Sequence, residues 1–257
     1  MYYSDFILLF IAGLAGGALN ATIGGGWFIV FPSLIYLGKQ PVSSNATTTT
    51  TLLCGHLASM ASEQNPIPLD KNIKRYFGII SLAGGAAGAF LLIIFSHQTF
   101  ELIGPYLLLC SWLMFTFNKT ILSYFDSKKY KAFEYSHRKL ISLFILNVYG
   151  SYFGAGVGMM FIALLRYYGM KNDTQLNGFK DLMVALNNGI AVLIFIYSGL
   201  IQWQFALVLI AGSLFGGYYG VKVSNKINMQ VVKRVMIVVG AIVTLYFLNV
   251  LDLDLIV

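Results

Sequence analysis

Long apolar runs alternate with short polar breaks along the whole chain, and the first run is interrupted in an unusual way. Asp5 to Thr22 reads as one apolar helix, which breaks at Gly24-Gly25-Gly26 and resumes at once over Trp27 to Leu37. A helix in water would end at three consecutive glycines. At membrane depth, exposed backbone is tolerated only where protein buries it or it lines a wet cavity. The resumed run is also too short to cross, since its eleven residues rise about 16 Å against a hydrocarbon core of about 30 Å.

Ser43 to Ala61, Phe77 to Phe95 and Leu102 to Phe117 follow, each long enough to cross. After a basic stretch with Lys128, Lys129, Lys131, Arg138 and Lys139, the order returns. Leu140 to Phe153 breaks at Gly154, Gly156 and Gly158; a short Met159 to Tyr168 leads to Leu176 to Ser198, Phe205 to Val221 and Val232 to Leu248. The expected fold class is all-α, a polytopic helical membrane protein of two inverted repeats, 1–122 and 140–257, joined by a basic linker at 123–139. An offset of 131 residues pairs Gly25 with Gly156, Leu34 with Leu165, Gly38 with Gly169 and Gly85 with Gly216, so the halves are read as aligning without a gap. Paired broken segments in two halves are the best sequence pointer to a transporter's binding site.

Composition narrows the function classes. With 58% hydrophobic and 11% charged residues, the chain has no soluble domain of useful size. A net charge of +7 would suggest nucleic acid in a soluble protein. Here the basic residues concentrate in loops, as the Lys and Arg bias of cytoplasmic loops requires, and no basic face interleaved with aromatics lies outside the spans, which argues against nucleic acid as a partner. The linker and the loop from Lys222 to Arg234 are expected in the cytoplasm. An odd number of passes per repeat then places both termini outside. The opening run from Phe6 to Leu19 has neither a basic leader nor a small-residue cleavage pattern and reads as a retained helix. Cys54 and Cys110 fall in apolar segments, against a disulfide framework.

The candidate chemistry is anion binding. A glycine turn opening a helix presents unpaired N–H groups and the positive end of the helix dipole. Gly24, Gly25 and Gly26, with Gly154, Gly156 and Gly158, are therefore candidate binding turns, close helix packing being the alternative use of glycine in membranes. A second polar concentration is Asn177-Gly178-Phe179-Lys180-Asp181 followed by Asn187-Asn188. At about 100° per residue, Lys180 and Asn187 lie about 60° and 80° from Asn177 on one side of a helix. An ammonium at membrane depth costs a few kcal/mol unless it faces a cavity or a counter-charge. Lys180 can also snorkel to the interface or pair with Asp181.

The offset maps Lys180 onto Thr49 and Asn187 onto His56, within and beyond the run Asn45 to Thr51. Thr48 and Thr49 can donate to an oxyanion, although helical threonines also bond back to their own backbone. His56 is either a proton relay or a neutral packed imidazole. There is no Walker A loop, no His-Glu-x-x-His and no Gly-x-Ser-x-Gly, so ATP hydrolysis and common intramembrane hydrolysis lack their parts; no cofactor is expected and the chain reads as a non-enzyme.

Gly24-Gly25-Gly26 with Pro32, Ala46-Thr47-Thr48, Leu176 to Asp181, Asn187, Gly199, Trp203 and Gly216-Gly217-Tyr218-Tyr219-Gly220, in this order and spacing, resemble the TauE/SafE sulfite-exporter family. The resemblance covers nearly the whole chain. It implies a multi-pass carrier of the bacterial inner membrane for small sulfur-containing anions such as sulfite, thiosulfate or organosulfonates, often an exporter. By position, the family's glycine turns correspond to Gly24–Gly26 and Gly154–Gly158 and its polar helix to Asn177, Lys180 and Asn187. The second turn departs from a full triple glycine, and Ala163 stands where a proline would mirror Pro32. Proton coupling and homo-oligomerisation stay open. So do two other classes that share these features, an anion-selective channel and a membrane scaffold.

Overall fold

The computed structural model describes residues 3–62, 71–95, 97–127, 137–170, 173–224 and 226–254. These form eleven helices: α1 (Tyr3–Thr22), α2 (Trp27–Tyr36), α3 (Pro41–Ser62), α4 (Lys71–Ile94), α5 (His97–Thr116), α6 (Asn118–Ser127), α7 (His137–Tyr152), α8 (Val157–Tyr167), α9 (Asp173–Tyr197), α10 (Trp203–Ser224) and α11 (Met229–Asp254). No strand occurs among the described residues. Of the expected linker, 123–127 end α6 and 137–139 open α7; Lys128, Lys129 and Lys131 lie outside the described residues.

Six helices, α1, α4, α5, α9, α10 and α11, are long and apolar enough to cross a bilayer. The chain is a multi-pass membrane protein, and its outward apolar side chains, Ile7, Ile79, Leu193, Leu207 and Ile242 among them, face lipid. Helix α3 is as long as these but too polar to count with them. Its polar residues survive at this depth because protein encloses it: Ser44, Asn45, Thr47, Thr48, Thr50 and Thr51 are all buried.

Each broken helix ends in the same hydrogen-bonded turn. Ile23 and Gly24 both donate to the Leu19 carbonyl, as Phe153 and Gly154 do to Tyr149. Gly24 (φ 76°), Gly154 (φ 85°) and Gly156 (φ 70°) take left-handed backbone that a side chain would strain, which accounts for glycine at these points. Gly26 and Gly156 then each stand directly before a short helix.

Structural likenesses between the first and second parts of the chain do not keep the expected single offset of 131. The turns correspond at 130 residues, Gly24 to Gly154 and Gly26 to Gly156. The ends of α2 and α8 correspond at 131, where Gly38 and Gly169 cap them in left-handed backbone. Beyond, the correspondence runs at 132: a Cβ on Gly85 would strike the Asn187 carbonyl, and one on Gly217 would strike the Gly55 carbonyl. His56 is thereby matched to Asn188, Asn45 to Asn177 and Thr49 to Asp181.

Packing exchanges one helix between the halves. Helix α10 lies along α1 and α3, whereas α4 lies along α7 and α9. Both seams are backbone-to-backbone. Gly217 against Gly55, and Gly88 against the Val148 carbonyl, leave no room for a Cβ, and such close approach is how helices adhere in lipid without a hydrophobic driving force. Helices α3 and α9 meet between these two bundles.

Candidate functional site

Both glycine turns open onto one cavity of about 310 Å³. The first turn contributes Gly24 and Trp27, the second Gly154, Val157 and Gly158. Thr49, Leu52 and His56 reach it from α3; Asn177, Lys180, Val184 and Asn188 reach it from α9. Lys119 at the start of α6 and Lys233 at the start of α11 complete its basic side. Among the described residues lining it there are three ammonium groups and no carboxylate.

Fixed polar contacts hold the walls. The Ala155 carbonyl of the second turn accepts from the Tyr149 hydroxyl at 2.7 Å and from Ser111 Oγ on α5 at 3.0 Å. The Ser111 and Tyr149 hydroxyls also meet, so their two protons are shared among this pair and the Ala155 carbonyl. The Trp27 indole Nε1 donates to Asn45 Oδ1 at 3.1 Å, and Asn45 Nδ2 donates to the Tyr152 carbonyl at 2.8 Å, so α3 fastens the first turn to the second.

Just behind the wall, Lys180 Nζ pairs with Asp181 Oδ1 at 2.9 Å, and the same oxygen lies 3.6 Å from His56 Nε2. His56 Nε2 also faces the Asp181 carbonyl at 3.3 Å. One carboxylate thus joins an ammonium and an imidazole from two helices. Lys180 does pair with Asp181, as the sequence allowed, and still lines the cavity.

Of the residues singled out from sequence, Gly24, Thr49, His56, Gly154, Gly158, Asn177 and Lys180 come together around this cavity. Gly25, Gly26, Thr48, Gly156 and Asn187 are not among its lining. Gly25 faces Phe115 and Met236, and Gly26 packs on the Gly16 carbonyl. Gly156 turns towards Ser111. Thr48 is buried without a hydrogen-bond partner. Asn187 is committed to α7, its Nδ2 donating to the Asn147 carbonyl at 2.7 Å and its Oδ1 accepting from Ser151 at 2.7 Å.

The residue that takes Asn187's expected place is its neighbour. Asn188 lies about 20° from Asn177 on a helical wheel, nearer than Asn187, and its Oδ1 is buried with no partner. Lys119 and Lys233 were missed because lysines near helix ends read equally well as loop charges. Threonine back-bonding is seen once in this run, Thr50 to the Ala46 carbonyl at 2.8 Å, and Thr47 accepts from the Gln202 N–H at 3.1 Å. Among the described residues no group of three His, Cys, Asp or Glu side chains could hold a metal.

No solved structure matches the chain. A probable membrane transporter protein of Bacillus subtilis, YunE, is 24% identical over 91% of this chain and 94% of its own length. Another from Haemophilus influenzae is 23% identical over 92% of both, and YfcA of Escherichia coli K12 is 21% identical over 93% of this chain and 87% of its own. The model of the family "Sulfite exporter TauE/SafE" matches residues 9–247. With two glycine turns and three lysines around one cavity in a multi-pass helical bundle, the chain belongs to the TauE/SafE family of membrane transporters.

Proposed function

We propose that this transporter is a secondary carrier of small sulfur-containing anions, sulfite or an organosulfonate, which bind in the cavity between the two glycine turns and cross by alternating access. The observation that carries the reading is the charge of the cavity. Lys119 and Lys233 line it, Lys180 lines it while paired with Asp181 behind the wall, and two helix N-termini open beside it. A desolvated oxyanion needs such fixed donors and positive charge, since an unpaired charge at membrane depth is costly. Thr49, Asn177 and Asn188 supply neutral hydrogen bonds around it.

A carrier is favoured over an open channel because the cavity is closed at Trp27. Rocking of two interleaved bundles about a site on their boundary is the usual device of transporters built from repeats. The direction proposed, export, is taken from the family's description, and the positive-inside rule puts the side of the cavity with Lys119 and Lys233 in the cytoplasm.

Flux in liposomes tests this, with sulfite, thiosulfate, an organosulfonate, sulfate and chloride compared with and without a proton gradient. Saturable flux of a sulfur anion, accelerated by the same anion on the far side, is expected. Equal, unsaturable flux of all anions would make the protein a channel. Absence of flux from folded protein would remove the sulfur anions as substrates. The proton-gradient arm reads whether the Lys180–Asp181–His56 chain carries a coupling proton.

A further inference from the structure

A second cavity of about 210 Å³ lies on the far side of Trp27 from the first. The two stand at opposite ends of the same helices. On α11 the first is bordered by Lys233 and the second by Phe247, fourteen residues on and about 21 Å along the axis. Similarly, Thr49 and His56 of α3 border the first, and Pro41 at its start borders the second. Trp27 borders both, and Phe153 adjoins Gly154 of the first while lining the second.

The partition between them is aromatic and buried. The Trp27 ring stacks on Phe31 at 4.2 Å between centroids and leans on Phe153 at 4.7 Å, with Trp27 2% and Phe153 1% exposed. Phe153 in turn meets Phe100 at 6.0 Å. Trp27 belongs to the first broken helix and Phe153 to the second, so the partition is assembled from both halves.

We infer that Trp27 is the gate separating the two faces of the transporter and that Asn45 is the positioning residue that holds it shut. Asn45 is fully buried and uses both ends of its amide, accepting from the Trp27 indole and donating to the last carbonyl of α7 at Tyr152. The bond to Tyr152 occupies a helix-end carbonyl that would otherwise be unpaired inside the protein. It also links the two events transport must join. Movement of the second glycine turn, where the proposed anion sits, shifts the Tyr152 carbonyl and through Asn45 the indole. This inference rests on the cavity being the transport path and not on which solute it takes.

The test uses the full chain with Cys54 and Cys110 changed to Ser, carrying a single reporter, Ile162→Cys in the first cavity or Gly104→Cys in the second. Labelling by a membrane-impermeant thiol reagent is followed in right-side-out and in inside-out vesicles. With Asn45 and Trp27 intact, each reporter reacts in one vesicle type only, and the two reporters in opposite types. Asn45→Ala raises the rate in the formerly protected orientation at least tenfold. Trp27→Phe, which loses the N–H together with part of the ring's bulk, does the same, and it carries the test if Asn45→Ala fails to fold. One-sided labelling in Trp27→Phe, or two-sided labelling before either change, overturns the gate. Anion flux plays no part in this readout, so failure of the sulfur-anion reading and failure of the gate are seen separately.

Discussion

Helices α3 and α9 each follow a glycine turn and a short helix and meet at His56 and Asp181, yet they offer the cavity different chemistry. Helix α3 presents a hydroxyl and an imidazole, Thr49 and His56, whereas α9 presents two amides and an ammonium, Asn177, Asn188 and Lys180. Where α3 carries Thr49, α9 carries Asp181 at the corresponding place, a neutral donor in one and a charge in the other. Two similar turns are thus flanked by two unlike polar helices, and of these two helices α9 brings the lysine to the cavity.

Removal of the Asp181 carboxylate has the largest consequence. Asp181→Ala leaves Lys180 without its buried counter-charge and is expected to cost about 3 kcal/mol of stability, at the low end for a buried pair because Lys180 also borders the cavity. Thermal unfolding in detergent measures it, and Lys180→Ala added to Asp181→Ala should restore most of the loss. If the double variant is no more stable than the single, the pair is not what holds the carboxylate.

Next comes Lys180→Ala alone. Loss of one charge-assisted bond, about 1.5–3 kcal/mol, corresponds to roughly 10- to 100-fold weaker anion binding in a folded protein. A KM for sulfite-class anions unchanged from that of the intact chain would take Lys180 out of the site. Sharper still is the pair of neighbouring amides. Asn187→Ala should lower stability by about 1–3 kcal/mol through the unpaired groups it leaves on α7, with KM held, whereas Asn188→Ala should raise KM several-fold with unfolding temperature held. The reverse pattern would exchange their roles. The smallest effect is expected for Thr49→Val, near-isosteric and neutral, at roughly threefold to tenfold in KM for one net hydrogen bond.

Apart from α6, part of which was read as linker, and α3, which was read as a crossing segment but is too polar to count with the six, helix order, both glycine breaks and the long crossing segments were legible in the sequence because lipid imposes a length and an apolar content that few other constraints imitate. The register between the halves was not. In so apolar a chain a single slipped residue changes little in pattern, so an offset of 131 fits almost as well as the 130 and 132 the turns and seams obey. That slip moved the counterpart of His56 from Asn188 to Asn187. The Asn45 bridge was invisible for another reason, since it joins residues 107 apart and Asn45 read simply as the head of a threonine run.

Finally, the exchange of α4 and α10 bears on how the protein is made. The α1 face that receives α10, around Gly13, waits for Leu209 and its neighbours, nearly two hundred residues later in the chain. At synthesis rates of about 5–20 residues per second, that interval is on the order of 10–40 s, during which the glycine face of α1 stands open in the bilayer. Neither half completes itself on the ribosome. Each bundle takes one helix from the other part of the chain, so 1–122 and 140–257 produced separately in one membrane are expected to associate.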